Sequence, residues 1–174
     1  IAIKESQQRW YLVALDKKNN VVKTFGLDRI SNLKITDTKF KPVAYNVEKE
    51  FQHAFGVETY EAAEKVVLEF SNKQGNYIKT FPLHQSQRIV EETEDTVIIE
   101  IFIHTTNDIK MELLKYGSNV KVIAPISLQN DIKNRISEMS NLYIWFMEKE
   151  EFVHLFSKRI DKLERTFKEK FPDG

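Results

Sequence analysis

The sequence predicts an α+β protein with a small β-rich module, an α/β module and a C-terminal amphipathic helix. Three observations lead to this fold class. Short runs of β-branched and aromatic residues occupy the beginning of the 174-residue chain, and alternating strand and helix patterns follow them. Near the end, apolar residues recur at steps of three and four, which is the period of a helix with one apolar face.

The composition is that of an ordinary globular protein. Hydrophobic residues make up 41% and charged residues 30% of the chain, which is enough for a buried core. No apolar run approaches the length of a membrane span, and no signal-peptide pattern opens the chain. The sequence has no Cys, which excludes disulfides and thiolate metal sites and fits a reducing compartment. We therefore expect a cytoplasmic protein without membrane association.

Charge is distributed unevenly, although the net charge is zero. Residues 1–45 hold nine Lys and Arg against four acids, whereas residues 46–141 hold ten basic and fifteen acidic residues. A basic module joined to an acidic one indicates that the first module meets an anion. Random variation of surface charge would explain the same asymmetry.

The first module contains a predicted β-hairpin. Residues 9–15 and 21–27 are strand-like, and the polar residues between them are typical of a turn. Residues 31–36 alternate apolar and polar side chains and predict a third strand. Three short strands favour a small barrel or a twisted sheet. Because the chain opens directly on Ile1, we expect that it starts inside a domain, with upstream strands outside these residues.

The second module is predicted from alternating strand and helix patterns. Strands are expected over residues 65–70, 87–90, 96–104 and 120–124, and helices over 76–81, from about 109 to 116, and onward from Pro125. Thr106, Asn107 and Asp108 offer cap side chains for the second helix, and Gly117 ends it. This order of elements is that of a ferredoxin-like split βαβ unit with one added helix. The predicted domains are 1–55, 56–141 and a helical tail at 142–174.

The tail is predicted to be one helix with an apolar stripe. The stripe consists of Phe152, Phe156, Ile160, Leu163, Phe167 and Phe171. Such a stripe either packs on its own chain or docks on another subunit. We expect the second arrangement, in a homodimer.

The sequence contains no catalytic or metal-binding constellation. The four His residues, at positions 53, 84, 104 and 154, lack the spacing of metal ligands. No Gly-rich phosphate loop, nucleophile elbow or metalloprotease motif is present. We therefore expect no enzyme activity, no metal and no cofactor, and structural roles for the His residues.

The hairpin carries a candidate anion site. Alternation places Arg9 and Tyr11 on one face of the first strand, and Lys23 and Arg29 on one face of the second. Arg offers a bidentate fork, Tyr a hydroxyl and a ring, and Lys a mobile charge. The pairing register decides which faces meet. A solvated basic face is equally compatible with this spacing.

Several motifs in this order resemble the WYL domain of bacterial transcriptional regulators and its C-terminal extension. The first motif is Trp10-Tyr11-Leu12. The second is Phe25-Gly26-Leu27-Asp28-Arg29-Ile30, where the family usually has Phe-Arg-Leu-Asp-Arg-Ile, so Gly26 replaces an Arg. The extension is represented by Phe55-Gly56, residues 66–70, His84-Gln85-Ser86-Gln87, Glu112-Leu113-Leu114-Lys115-Tyr116-Gly117 and Ala124-Pro125-Ile126-Ser127-Leu128.

The resemblance, which covers residues 1–140, implies a fold and a function. It implies an Sm-like or SH3-like barrel, then a ferredoxin-like extension, as the effector-sensing and dimerising region of a regulator. The implied ligand is anionic, a nucleotide or single-stranded nucleic acid, and would be bound by Tyr11, Arg29 and Lys23, to which strand parity adds Arg9. Operator DNA would be bound through a helix-turn-helix domain that these 174 residues lack. The alternative is a stand-alone ligand-binding or scaffold module.

Overall fold

The computed structural model of the protein describes residues 1–143 and 149–170. The chain divides into two compact units, Ile1–Ile132, which holds both β-sheets, and Lys133–Gly174, which is helical where it is described. In chain order the helices and strands are β1 Ala2–Ser6, β2 Arg9–Asp16, β3 Val21–Gly26, α1 Val47–Phe51, β4 Ala63–Ser71, α2 Asn72–Thr80, β5 Arg88–Glu92, β6 Thr96–His104, α3 Asn107–Lys115, β7 Val120–Ala124, α4 Ile126–Tyr143 and α5 Lys149–Lys170.

β1, β2 and β3 form an open antiparallel sheet with β2 in the middle. Two residues, Gln7 and Gln8, join β1 to β2, and both have positive φ angles of 50° and 63°. Two successive positive φ angles give the tight turn whose twist matches the flanking strands. The turn before β3 is closed by Asp16, whose carboxylate accepts a hydrogen bond from the Lys18 backbone N–H at 3.0 Å.

The third strand of this sheet is β1, so the strand predicted over residues 31–36 is wrong. That segment is irregular, and Leu33 and Ile35 are 82% and 101% exposed. Alternation specifies which side chains would share a face, but it does not supply a pairing partner. A 3₁₀ turn at Leu27–Arg29 ends β3. The sheet therefore stays open: of the two predicted forms, a small barrel or a twisted sheet, these strands do not form a closed barrel.

The second sheet has the strand order β5-β6-β4-β7 with antiparallel pairing throughout. The central strands β4 and β6 alternate buried and partly exposed side chains, as expected for a sheet with one covered face. That face and the helices packed on it form the core, which contains Val66, Leu68, Phe70, Ile78, Val97, Ile99, Ile101, Ile103, Ile109, Leu113, Val122 and Leu128. The strands predicted at Thr96–His104 and Val120–Ala124 are confirmed with their boundaries.

α2 begins earlier than predicted because Ser71 caps it. The Ser71 hydroxyl accepts a hydrogen bond from the Gln74 backbone N–H at 3.5 Å. Gly75 then lets the helix approach the sheet closely, since a Cβ at this position would lie 2.5 Å from Val97 Cγ2. Close packing of this helix on β6 thus depends on a residue that lowers intrinsic helix propensity.

α3 begins at Asn107, slightly earlier than predicted, and Asp108 does not cap it. Thr106 occupies the cap position and makes no side-chain cap hydrogen bond. Asp108 Oδ2 instead accepts hydrogen bonds from the backbone N–H groups of Val57 at 2.7 Å and Glu58 at 3.1 Å. The carboxylate thereby ties the segment before β4 to the start of α3. It lies against Gly56, where any side chain would collide with it.

The apolar face predicted for α4 is buried only at its beginning. Leu128 is buried and Ile132 packs against the core, whereas Ile136 and Met139 are exposed. In the described residues, no helix combines the length and apolarity that crossing a bilayer requires.

α5 carries the predicted apolar stripe. Phe156, Ile160, Leu163 and Phe167 are all exposed. Phe171 and the side chain of Phe152, which complete the predicted stripe, lie outside the described residues.

Candidate ligand-binding face

The pairing register of the first sheet decides which predicted ligand residues share a face. Tyr11 lies directly opposite Lys4 on β1 and Gly26 on β3. Directly opposed residues point to the same side of a sheet. Val13, which is fully buried, and Thr24 form the next row on this side. We call the side that carries these five residues the inner face.

Arg29 reaches the inner face because Gly26 has no side chain. A Cβ on Gly26 would point to the Tyr11 side, where it would lie 2.6 Å from Asp28 Oδ1 and 3.6 Å from Arg29 Nε. The 3₁₀ turn Leu27–Arg29 therefore places the side chains of Asp28 and Arg29 over the end of β3. Tyr11, as the strand partner of Gly26, and the side chain of Arg29 thus both adjoin Gly26.

Lys4 is a cation of the inner face that sequence analysis missed. Its Nζ lies 5.3 Å from the centroid of the Phe51 ring, which is cation–π geometry. The side chains of β1 alternate between half-buried and exposed, and Lys4 is on the half-buried side. Residues 2–6 carry no sequence signal for this placement, because the apolar Ile3 is on the exposed side of β1 and Lys4 on the half-buried side. Arg9 shares the alternation of Tyr11 along β2 and is exposed.

Lys23 lies on the opposite, outer face of the sheet. It stands opposite Ala14 in the register, and its Nζ is 2.7 Å from Asp16 Oδ2. This hydrogen bond is the main cause that lowers the pKa of Asp16. The register thus brings three of the four predicted ligand residues to one side and separates Lys23 from them. A ligand role for any of the four stays a prediction.

A cleft of about 530 Å³ adjoins the inner face. Val13, Tyr45 and Phe51 are among its apolar and aromatic walls, and Lys23 and Glu58 also line it. Burial, followed by the charge of Glu50, raises the pKa of Tyr45. The phenol therefore stays a neutral hydrogen-bond donor at physiological pH. Because the Phe51 ring also faces Lys4, the cleft and the cation are adjacent.

Residues 51–53 connect the first sheet to the second. Phe51 faces the first sheet, as described above. The Gln52 backbone carbonyl accepts a hydrogen bond from the Gln85 side-chain amide at 2.9 Å. The His53 backbone carbonyl accepts one from the His104 backbone N–H at 2.9 Å. Three consecutive residues therefore contact both sheets.

Three of the four His residues come together at this junction. The ring centroids of His53 and His104 are 6.3 Å apart. Burial lowers the pKa of His84, and the nearby imidazoles of the other two contribute to the shift. His104 Nδ1 donates to the Glu61 carbonyl at 2.6 Å, and His84 Nδ1 accepts from the Ser86 backbone N–H at 3.2 Å. In the part of the chain that is described, no group of side chains has the arrangement of a metal site.

Comparison with known proteins identifies two domains. The WYL domain family matches residues 1–35, and the WCX domain family matches residues 62–140. Among solved structures, proteasome accessory factor B/C (PafBC) of Arthrobacter aurescens is similar, with 20% identity and a TM-score of 0.36 over 74% of this chain and 20% of that chain. The chain thus spans about a fifth of that protein. No curated protein sequence matches it.

Proposed function

We infer that this chain, which belongs to the proteins that join a WYL domain to a WCX domain, is the effector-sensing region of a transcriptional regulator. The motifs around Tyr11 and Arg29 lie inside the matched WYL segment, and the core of the second sheet lies inside the matched WCX segment. The inner face supports binding rather than catalysis, since it offers cations, a phenol and an apolar cleft.

The proposed ligand carries a phosphate or carboxylate beside an apolar ring, as nucleotides and single-stranded nucleic acids do. The observation that carries this proposal is that Gly26 is paired with Tyr11 and has the side chain of Arg29 above it. Arg29 would bind the anion in a bidentate manner, and Lys4 and Arg9 would add charge. The cleft next to Phe51 has room for a base or another planar ring.

We also propose a more specific fold for each of the two sheets. The open sheet of β1, β2 and β3 would correspond to part of a small Sm-like barrel. The order β4-α2-β5-β6-α3-β7 supports a ferredoxin-like arrangement of the second sheet.

In the proposed mechanism, the ligand changes the relative stability of two arrangements of the WYL and WCX domains. Such a change requires different affinities of the ligand for the two arrangements. Residues 51–53 would transmit it, because they contact the cleft on one side and the second sheet on the other. The regulator would act as a homodimer, and operator DNA would be bound by a helix-turn-helix domain outside these residues.

Titration with ATP and with a short oligothymidylate tests the ligand proposal. We expect binding in about 50 mM salt that weakens toward about 200 mM salt, because phosphate contacts release counterions. Arg29→Ala removes a charge-assisted hydrogen bond worth about 1.5–3 kcal/mol, so the Kd should rise about tenfold or more. Tyr11→Phe should have a smaller effect, since the ring is retained.

Substitution of two other cations of the WYL domain provides a comparison for the effect of Arg29→Ala on the Kd. Lys17→Ala removes a charge from the turn after β2 and should leave the Kd nearly unchanged. Lys23→Ala removes a cation that pairs with Asp16 and also lines the cleft, and a loss equal to that of Arg29→Ala would place the anion beside Lys23 instead. Absence of binding in low salt, or binding that survives the combined Tyr11→Ala and Arg29→Ala changes, would contradict the proposed site.

A further inference from the structure

Five apolar residues of α5 follow a heptad repeat over two heptads, with Val153 in place of Phe152 of the predicted stripe. Val153, Phe156, Ile160, Leu163 and Phe167 are separated by steps of three, four, three and four. In a repeat with positions a to g, this spacing puts Val153, Ile160 and Phe167 at position a and the other two at position d. A repeat of seven, rather than the 3.6-residue period of a single helix, is the signature of a coiled-coil seam.

Side chains of this seam are exposed in the part of the chain that the structure describes. Val153, Ile160 and Leu163 are 59%, 46% and 65% exposed. At about 1.5 Å per residue, α5 is roughly 33 Å long, and the stripe runs along most of it. Apolar side chains exposed over such a length mark an interaction surface.

The residue types indicate a two-stranded partner. β-branched Val153 and Ile160 stand at two of the three a positions, with Phe167 at the third, and Leu163 and Phe156 stand at position d. In parallel coiled coils, β-branched residues at a with Leu at d favour dimers over larger assemblies.

The flanking charges select both the partner and its direction. Arg159 occupies position g and Glu164 the following position e. In a parallel pair of identical helices, position g of one helix meets the next position e of the other. Arg159 would therefore face Glu164 of the second copy, twice by symmetry. An antiparallel pair aligned over the same seam would instead bring the two copies of Arg159 together.

We propose that α5 pairs with α5 of a second copy of this chain as a parallel two-stranded coiled coil. This inference deepens the proposed homodimer by naming its interface, and it rests on that part of the proposed function. It is independent of the ligand, because the seam residues belong to the second compact unit and the inner face belongs to the first.

Charge exchange tests the interface in the full chain. Arg159→Glu alone and Glu164→Arg alone each replace two attractive pairs by two repulsive ones, and we expect the dimer Kd to rise about tenfold. A mixture of the two variants restores attraction at both pairs, so it should form heterodimers in preference to either homodimer. Analytical ultracentrifugation of each variant and of the mixture measures this. Lys162→Glu, a charge change at an outer position of the same helix, should leave the Kd unchanged.

Cysteine cross-linking tests the direction, and the natural chain has no Cys to interfere. In a parallel pair, Phe156→Cys meets the same residue of the second copy and should form a disulfide dimer on mild oxidation. Lys158→Cys, on the outer side of the helix, should not. Cross-linking only in a mixture of Phe156→Cys and Ile160→Cys would establish an antiparallel pair and overturn the proposal.

The outcomes separate this inference from the rest of the proposed function. A dimer that is insensitive to Leu163→Asp and to both charge changes would overturn the α5 interface while leaving the homodimer standing. A monomeric wild-type chain would overturn both. Ligand titration of the Leu163→Asp chain, with circular dichroism to verify its fold, reports on the inner face in either case.

Discussion

The side-chain amide of Gln85 donates a hydrogen bond to the backbone carbonyl of Gln52 across 2.9 Å. Gln85 lies just before β5, and Gln52 immediately follows α1, whose Phe51 faces the first sheet. The bond joins residues that are 33 positions apart in the chain. Polar contacts of this kind are directional, so a single substitution at the junction changes how the two sheets are connected.

Gln85→Ala should lower the free energy of unfolding by about 0.5–1.5 kcal/mol, the usual net contribution of one hydrogen bond. Urea unfolding monitored by circular dichroism measures the change. Asn141→Ala, which removes an exposed amide from α4, should stay within about 0.5 kcal/mol of the wild type. Equal effects of the two substitutions would show that the Gln85 hydrogen bond does not contribute to the free energy of unfolding.

Stability should fall as the pH drops below about 6.5, the ordinary pKa of His. Burial lowers the pKa of His84 in the folded protein, with smaller contributions from His53 and His104. The unfolded chain therefore takes up a proton at a higher pH than the folded chain does. The contribution of His84 to stability is present above its pKa in the unfolded chain and is lost as the pH falls toward its pKa in the folded protein.

His84→Gln tests this assignment, because Gln does not titrate. The difference in unfolding free energy between pH 7.5 and pH 5.5, a range of about one unit on either side of the ordinary His pKa, should be smaller in the variant than in the wild type. His154→Gln removes an exposed imidazole from α5 and should leave the pH dependence as it was. An unchanged pH dependence in His84→Gln would rule out His84 as its source.

Gly75→Ala has two opposite effects on the stability of the protein. In the interior of a helix, Ala is favoured over Gly by about 1 kcal/mol. The added methyl group, however, would lie 2.5 Å from Val97 Cγ2, and overpacking of a core costs about 1–3 kcal/mol. Because Val97 is fully buried on the central strand β6, we expect the steric term to prevail and the protein to be destabilised.

A double-mutant cycle with Val97→Ala separates these terms. Val97→Ala alone should destabilise by leaving a cavity. Combined with Gly75→Ala, it removes Cγ2 but leaves the Cβ of residue 97, which would still lie 2.6 Å from the added methyl group. The collision is therefore relieved in part, and the double variant should be somewhat more stable than the sum of the single changes predicts. Additive changes in urea unfolding would show that α2 shifts freely and that Gly75 is not needed for close packing.

Local patterns predicted the second sheet well. β6 and β7 were identified with their boundaries because runs of β-branched residues between turn residues are a local signal. The start of α2 was missed because Gly75 weakens the helix pattern, although Ser71 carries the cap. The role of Asp108 was missed for another reason: its hydrogen-bond donors, Val57 and Glu58, are about 50 residues away.

The candidate site depended on information that no local pattern contains. Alternation correctly placed Arg9 and Tyr11 on one side of β2, but the face of Lys23 follows from the pairing register alone. Lys4 became visible only when β1 was paired with β2. The proximity of His53, His84 and His104 likewise results from long-range contacts, and their spacing in the sequence does not indicate it.

Removal of the Asp28 carboxylate should strengthen anion binding at the inner face. Asp28 Oδ1 lies over Gly26 beside the Arg29 side chain, so its charge opposes that of the guanidinium. An interaction between two neighbouring exposed charges contributes about 1 kcal/mol or less. Asp28→Asn should therefore lower the Kd for ATP about two- to fivefold in low salt, with a smaller gain in high salt.

Asp37→Asn is the matched control for this effect. It removes one acid from the same basic segment but lies in the irregular stretch that follows the 3₁₀ turn. If the two substitutions strengthen binding equally, the gain comes from the net charge of the module and not from a local effect on Arg29. If Asp28→Asn alone does so, and the gain disappears in an Arg29→Ala background, the anion is bound at the position where Gly26 leaves room for Arg29.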